Sequence, residues 1–116
     1  MIRDETISQI TEDHTLVEEQ IKQGLISRDQ EKSLDRNIIT QALGLDKPIT
    51  PYTKLCEISE GDYILICSDG LHGFLDDRTI ANIIINPNHN DIARSLIEAA
   101  LESGSNDNIS VVLVSF

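Results

Sequence analysis

Apolar positions follow two rhythms along this chain. In "YILIC" (residues 63–67) and "ISVVLV" (109–114) they run nearly unbroken, as in strands buried inside a sheet. In "LVEEQIKQ" (16–23), Leu16, Val17 and Ile21 share one helical face. "LDDRTIANIII" (75–85) reads as a second helix, and "DIARSLIEAALESG" (91–104), with Ile92, Leu96, Ala99 and Ala100 on one side, is the clearest helix of all. "ETISQIT" (5–11) alternates in part and predicts a short strand.

Start and stop signals sharpen these elements. Thr15 and Glu18 have capping-box spacing, and Gly24 stands where a helix begun there would end. Ser27 and Gln30 repeat the box and predict a short helix over "RDQEKSL". Asp76 or Asp77 opens the next helix, Asn90 or Asp91 the last, and Gly104 closes it. "RNIITQALG" (36–44) is divided, its β-branched centre favouring strand and its Ala-Leu end favouring helix. Pro48 and Pro51 make "LDKPITPY" an extended loop, and "ISEGDY" is a turn into the strand that follows. Strands and helices alternate irregularly, which predicts an α/β or α+β layered domain.

The 116 residues suit one domain or part of a larger one. Aromatic residues are only 3% of the chain, so the core must rest on Ile, Leu, Val and Ala. Nine basic residues against 20 acidic ones give a net charge of −11, which argues against nucleic acid or an anionic membrane as partner. Cys56 and Cys67 are too few for a disulfide framework, and Cys67 reads as a small core residue in a reducing compartment. With no apolar signal core and no run near the ~20 residues of a membrane span, the expectation is a soluble, cytoplasmic protein.

The run "ILICSDGLHGFL" (64–75) poses a chemical question, because a carboxylate at the mouth of a buried strand is costly to desolvate and needs a partner. Asp69 ends that strand, and Asp107 lies just before the last one. If the two strands are antiparallel neighbours, roughly 5 Å apart, both carboxylates reach the same edge of the sheet. Such a pair repels unless a proton or a cation intervenes, and Mg²⁺ or Mn²⁺ suits oxygen ligands. Gly70 permits a sharp turn and a close approach behind Asp69, and Asn108 either braces Asp107 or caps the turn. Taken singly, Asp-Gly and Asn-Asp-Asn are ordinary turn sequences.

"GDYILICSDGL" followed by "SGSNDNISVVLV" resembles the last two motifs of the metal-dependent protein phosphatases of type 2C. Upstream, "ITEDHTLVEEQIKQGLIS" and "RNIITQALG" resemble segments that precede those motifs in bacterial members, in the same order. The resemblance implies an antiparallel β-sandwich flanked by helices, and hydrolysis of phosphoserine and phosphothreonine in proteins by a water held between two Mn²⁺ or Mg²⁺ ions. It implies Asp69 and Asp107 as ligands of a shared metal ion, with Asp69 touching a third, weaker ion in some members, and a mobile flap over about residues 20–40. Phosphorylated proteins, including a serine/threonine kinase, are the partners it implies. No residue of the chain is assigned a catalytic role, and substrate-binding residues are not identified.

The family is about twice this length. Its early motifs, including a "DGMGGH"-like stretch with a metal-bridging Asp, have no counterpart here. The expectation is therefore the C-terminal part of a phosphatase domain over residues 1–116, with little or no activity alone, exposed sheet edges, uncovered apolar faces and a tendency to dimerise or aggregate. The alternatives are a non-catalytic phosphatase-like interaction module and a plain metal-binding α/β domain. His14 reads as a capping or surface residue, His72 as a variable residue beside the site and His89 as solvated. Asp76 and Asp77 read as helix-start residues and Arg36 as half of a structural ion pair.

Overall fold

The computed structural model describes residues 1–31, 38–44, 48–87 and 91–116. Arg36, His89, Asn90 and the far end of the helix predicted after Ser27 lie outside the described residues. The chain forms two compact units, one made of Met1–Gln9 with Cys56–Phe116 and the other of Ile10–Leu55.

The first unit holds strands β1 (Ile2–Arg3) and β2 (Thr6–Ile7), and helices α1 (Leu16–Lys22) and α2 (Arg28–Glu31) follow in the second unit. The chain then returns to the first with β3 (Tyr63–Cys67), α3 (Asp69–His72), α4 (Asp77–Ile85), α5 (Ile92–Glu102) and β4 (Val111–Ser115). The four strands make one antiparallel sheet in the order β2-β1-β3-β4. The layered α+β expectation holds.

Cooperation between α4 and α5 builds the core. Each has a strong start: Asp76 Oδ1 accepts from the Thr79 amide at 2.7 Å, and Asp91 Oδ1 from the Arg94 amide at 3.0 Å. Their apolar stripes bring Ile80, Ile84, Leu96 and Ala100 together with Ile2, Leu71 and Leu75. Tyr63, Leu65, Cys67, Val111 and Leu113 pack against this cluster from the sheet. The core is almost wholly aliphatic, as the composition requires.

Period-two alternation sends the other residues of β3 and β4 to the opposite face. There Ile66 is 62% exposed and Val112 56%. Helices cover one face and the other is left open, and Cys67 is half-buried rather than the buried core residue expected.

β1 is short and meets β3 at one residue pair, Ile2 with Tyr63. A side-chain latch reinforces the junction. Arg3 donates from Nε to Asp62 Oδ1 at 2.8 Å and from Nη2 to Asp62 Oδ2 at 2.6 Å, and the Ser59 amide donates to Oδ2 at 2.7 Å. Asp62 is almost fully buried, so its charge needs this fork. The Arg3 guanidinium, then the Ser59 amide, hold its carboxyl down at about 2. The β1–β2 turn is tight, with Asp4 at φ 48° and Glu5 at φ 63°, the double left-handed pattern of a two-residue hairpin on residues that adopt it less readily than glycine.

α3 is a single helical turn, which corrects the expected sharp turn after Asp69. Gly70 sits inside it, and a Cβ there would lie 2.4 Å from the Asn108 carbonyl oxygen. The close approach foreseen at Gly70 is real, but what approaches is the chain's own backbone. Ser105 Oγ adds a hydrogen bond to the Gly70 carbonyl at 2.9 Å.

The second unit rests on little apolar burial; among its described residues only Val17 is buried. Thr15 Oγ1 accepts from the Glu18 amide at 3.2 Å, but Glu18 does not complete the box. Its carboxylate instead takes the Arg28 guanidinium through two bonds of 2.8 Å. In the second box the Ser27 amide donates to Gln30 Oε1 at 2.9 Å. The divided segment resolves as extended chain around Ile39, which bridges Thr15, with Leu16 N donating to Ile38 O at 2.9 Å and Thr40 N to His14 O at 2.8 Å.

A carboxyl whose folded pKa is depressed stabilises the fold above its unfolded value and loses that contribution as pH falls. Thermal melts should therefore weaken between roughly pH 4 and pH 2, and Asp62→Asn should start less stable and flatten that part of the profile. Gly70→Ala should cost about 1–3 kcal/mol in urea denaturation, because a methyl cannot fit against a backbone carbonyl. Ser105→Ala should cost about 1 kcal/mol.

Candidate functional site

The ladder between β3 and β4 sets the geometry of the site. Its register pairs Tyr63 with Ser115 at one end and Cys67 with Val111 at the other. Beyond Cys67 the two chains stay together. The Ser68 amide donates to the Ser110 carbonyl at 3.0 Å, and the Ser110 amide donates to Ser68 Oγ at 3.0 Å. Ser68 Oγ in turn donates to the Asn108 carbonyl at 3.0 Å. That same carbonyl is the atom lying over Gly70. Asp69 thus sits between two residues that both touch Asn108, and Asp107 is the residue before Asn108. The antiparallel pairing on which the sequence reading depended is present, and the two aspartate-bearing segments share one end of the sheet.

Both aspartates are exposed. Asp107 Oδ1 accepts from the Asn108 amide at 2.7 Å, so Asn108 braces its neighbour through the main chain. Among the described residues, no hydrogen bond or ion pair reaches the Asp69 carboxylate. No group of three or more His, Cys, Asp or Glu side chains forms a metal cluster among the described residues. What the arrangement provides is two carboxylate-bearing segments that share one end of the sheet.

The neighbouring candidates settle into ordinary roles. His72 is exposed in the last turn of α3. Asp76 is the N-cap of α4, its pKa lowered chiefly by the Thr79 amide, and Asp77 lies in the first turn. The carbonyl of His14 belongs to the pairing with Thr40. Burial pushes the Cys67 thiol up, which disfavours the thiolate a nucleophile would need. No described helix is long and apolar enough to cross a membrane.

Sequence reasoning missed Ser68 and Ser105, the two hydroxyls that fasten this end of the sheet. Ser68 had a signal, a hydroxyl residue just before a helical turn. It occupies the N-cap position of α3 yet spends its oxygen across the chain, on residues 40 and 42 positions away. Ser105 had none, because its partner is 35 residues distant.

No family model matches the chain. Individual relatives do. It is 36% identical over 117 residues to protein phosphatase PhpP of Streptococcus pneumoniae, a match covering 99% of this chain and 48% of that protein. The structure of the S. agalactiae serine/threonine phosphatase superposes with a TM-score of 0.87 at 34% identity, over 96% of this chain and 47% of that one. The catalytic domain of the serine/threonine protein phosphatase PstP, solved in complex with two manganese ions, superposes at 0.77 with 33% identity, over 98% of this chain and 47% of its own. The chain spans about half the length of PhpP and of both structures. With sequence and fold agreeing along nearly every residue, the chain belongs to the type 2C family of serine/threonine protein phosphatases, of whose catalytic domain it spans about half.

Proposed function

We propose that the chain contributes one rim of a metal-dependent site that hydrolyses phosphoserine and phosphothreonine in proteins, with Asp69 and Asp107 as ligands for Mn²⁺ or Mg²⁺. The observation that carries this reading is the exit of β3 and the entry to β4 at one end of a fixed ladder, which brings two carboxylates to one rim. The donor set fits a hard ion, because both groups are carboxylates and both face solvent. When bound, such an ion supplies positive charge against a phosphoryl group and activates water.

The chain's own residues do the positioning. Ser68 ties the Asp69 segment to the Asp107 segment through both lone pair and proton. Gly70 lets α3 seat against Asn108. The Asn108 amide fixes one oxygen of Asp107 and leaves the other free of that bond. The manganese bound by PstP supports the choice of ion. Phosphorylated proteins, a serine/threonine kinase among them, are the proposed partners, and the cytoplasm the proposed location.

Two carboxylates fill only part of one ion's coordination shell, so the 116-residue chain should bind metal weakly and hydrolyse little. Calorimetric titration with Mn²⁺ should show a weak site that Asp69→Asn and Asp107→Asn each abolish. Three superimposable titrations would remove the assignment. Phosphothreonine peptide with Mn²⁺ and the pure chain should release phosphate at the rate of the protein-free control.

A further inference from the structure

Asp107 lies on an exposed segment outside any helix or strand, with Asn106 and Asn108 exposed on either side of it. A loop of that kind is ordinarily among the most mobile parts of a fold. The like charge of Asp69 also favours separation of the two segments. Both ends of this loop are nonetheless fastened. At its far end the Asn108 carbonyl accepts from Ser68 Oγ at 3.0 Å and lies over Gly70. At its near end stands Ser105, bonded to two different helices. Helix α5 closes with the Gly104 amide donating to the Leu101 carbonyl and the Ser105 amide to the Ala100 carbonyl, both at 3.0 Å. That paired closure uses a left-handed residue, Gly104 at φ 90°. Ala100 is wholly buried, so the Ser105 main chain is anchored in the core. The Ser105 hydroxyl then donates to the Gly70 carbonyl at 2.9 Å. α3 is a single turn, so that carbonyl belongs to the set a helix cannot satisfy from its own amides.

We propose that Ser105 is a positioning residue of the candidate site, a strut that fixes the Asp107 segment against the Asp69 segment independently of the β3–β4 ladder. Its bond joins the residue directly after Asp69 to the residue two before Asp107. The ladder and Ser68 hold the two segments from the strand side, and Ser105 holds them from the helix side. Asp107 is therefore caught between two anchored residues, Ser105 and Asn108. The Ser105 amide alone closes α5, so the hydroxyl serves the contact with α3 and nothing else in that closure. This role rests on the reading of Asp69 and Asp107 as ligands of Mn²⁺ or Mg²⁺. With the strut in place an ion meets a loop already ordered; without it, binding must also order the loop.

The test is a pair of variants in the 116-residue chain: Ser105→Ala and, as control, Asp91→Ala, which removes the cap at the other end of the same helix. Nuclear magnetic relaxation of the metal-free chain reads the loop directly. Backbone order parameters at Asn106, Asp107 and Asn108 should fall from about 0.85 toward about 0.6 in Ser105→Ala and stay unchanged in Asp91→Ala. Calorimetric titration with Mn²⁺, below the melting temperature of both variants, should show roughly tenfold weaker binding for Ser105→Ala and the wild-type affinity for Asp91→Ala. An unchanged order parameter at Asp107 in Ser105→Ala overturns the proposal. So does an unchanged Mn²⁺ affinity, or a loss of order or affinity shared equally by the two variants. A wild-type chain that takes up no Mn²⁺ removes the metal reading instead, and the order parameters alone then decide whether Ser105 sets the loop.

Discussion

Everything at the candidate site depends on the antiparallel register of β3 against β4. Five residue pairs fix it, the last being Cys67 with Val111. A parallel arrangement would send the end of one strand and the start of the other to opposite sides of the sheet. The antiparallel one leaves no choice: the chain leaving β3 and the chain entering β4 run side by side. A one-residue slip of β4 along β3 would turn Leu113 outward and Val112 inward, so burial of the aliphatic core enforces the register. The site's geometry is thus inherited from packing on the far side of the sheet.

The two aspartates that bracket β3 show how one residue type serves two ends. Asp62 is sealed, and its charge is met by a guanidinium fork and a backbone amide. That arrangement depresses its pKa and ties a short, tightly turned hairpin to the centre of the sheet. Asp69, seven positions on, is exposed and carries no such partner among the described residues. A carboxylate that burial has already committed to an internal cation is spent as a ligand. One left in solvent beside a second carboxylate is available to an external cation.

Local signals were legible in the sequence, and distant ones were not. Asp76, Asp91 and Thr15 declare helix starts because their partners are three residues away, and the structure forms each bond. Asp69 and Asp107 could be singled out because each ends or precedes an apolar run. The cost of burial at a strand mouth, which drew attention to Asp69, applies in fact to Asp62, whose partner Arg3 lies 59 residues away. The box at Thr15 and Glu18 forms only its Thr15 half, since Glu18 finds Arg28 a stronger partner than an amide. β3 read as a buried strand because a tyrosine, three aliphatic residues and a cysteine in a row contain no polar marker of an open side. Sequence pattern alone does not distinguish a strand sealed within one chain from a strand that presents half its side chains to something else.

The same contrast separates the two units. In the first, Leu71, Ile84, Leu96 and Ala100 are wholly removed from water, and their burial is cooperative because every one touches a common cluster. In the second, Val17 is the sole buried described residue, and order rests on backbone pairing with surface ion pairs such as Arg28–Glu18. Exposed pairs of that kind contribute little each, so the second unit has less to hold it than the first. The aspartates of the candidate site belong to the first unit. In the proposed site, carboxylates carried on that support would have their positions set before an ion arrives, so that little ordering of chain would oppose binding.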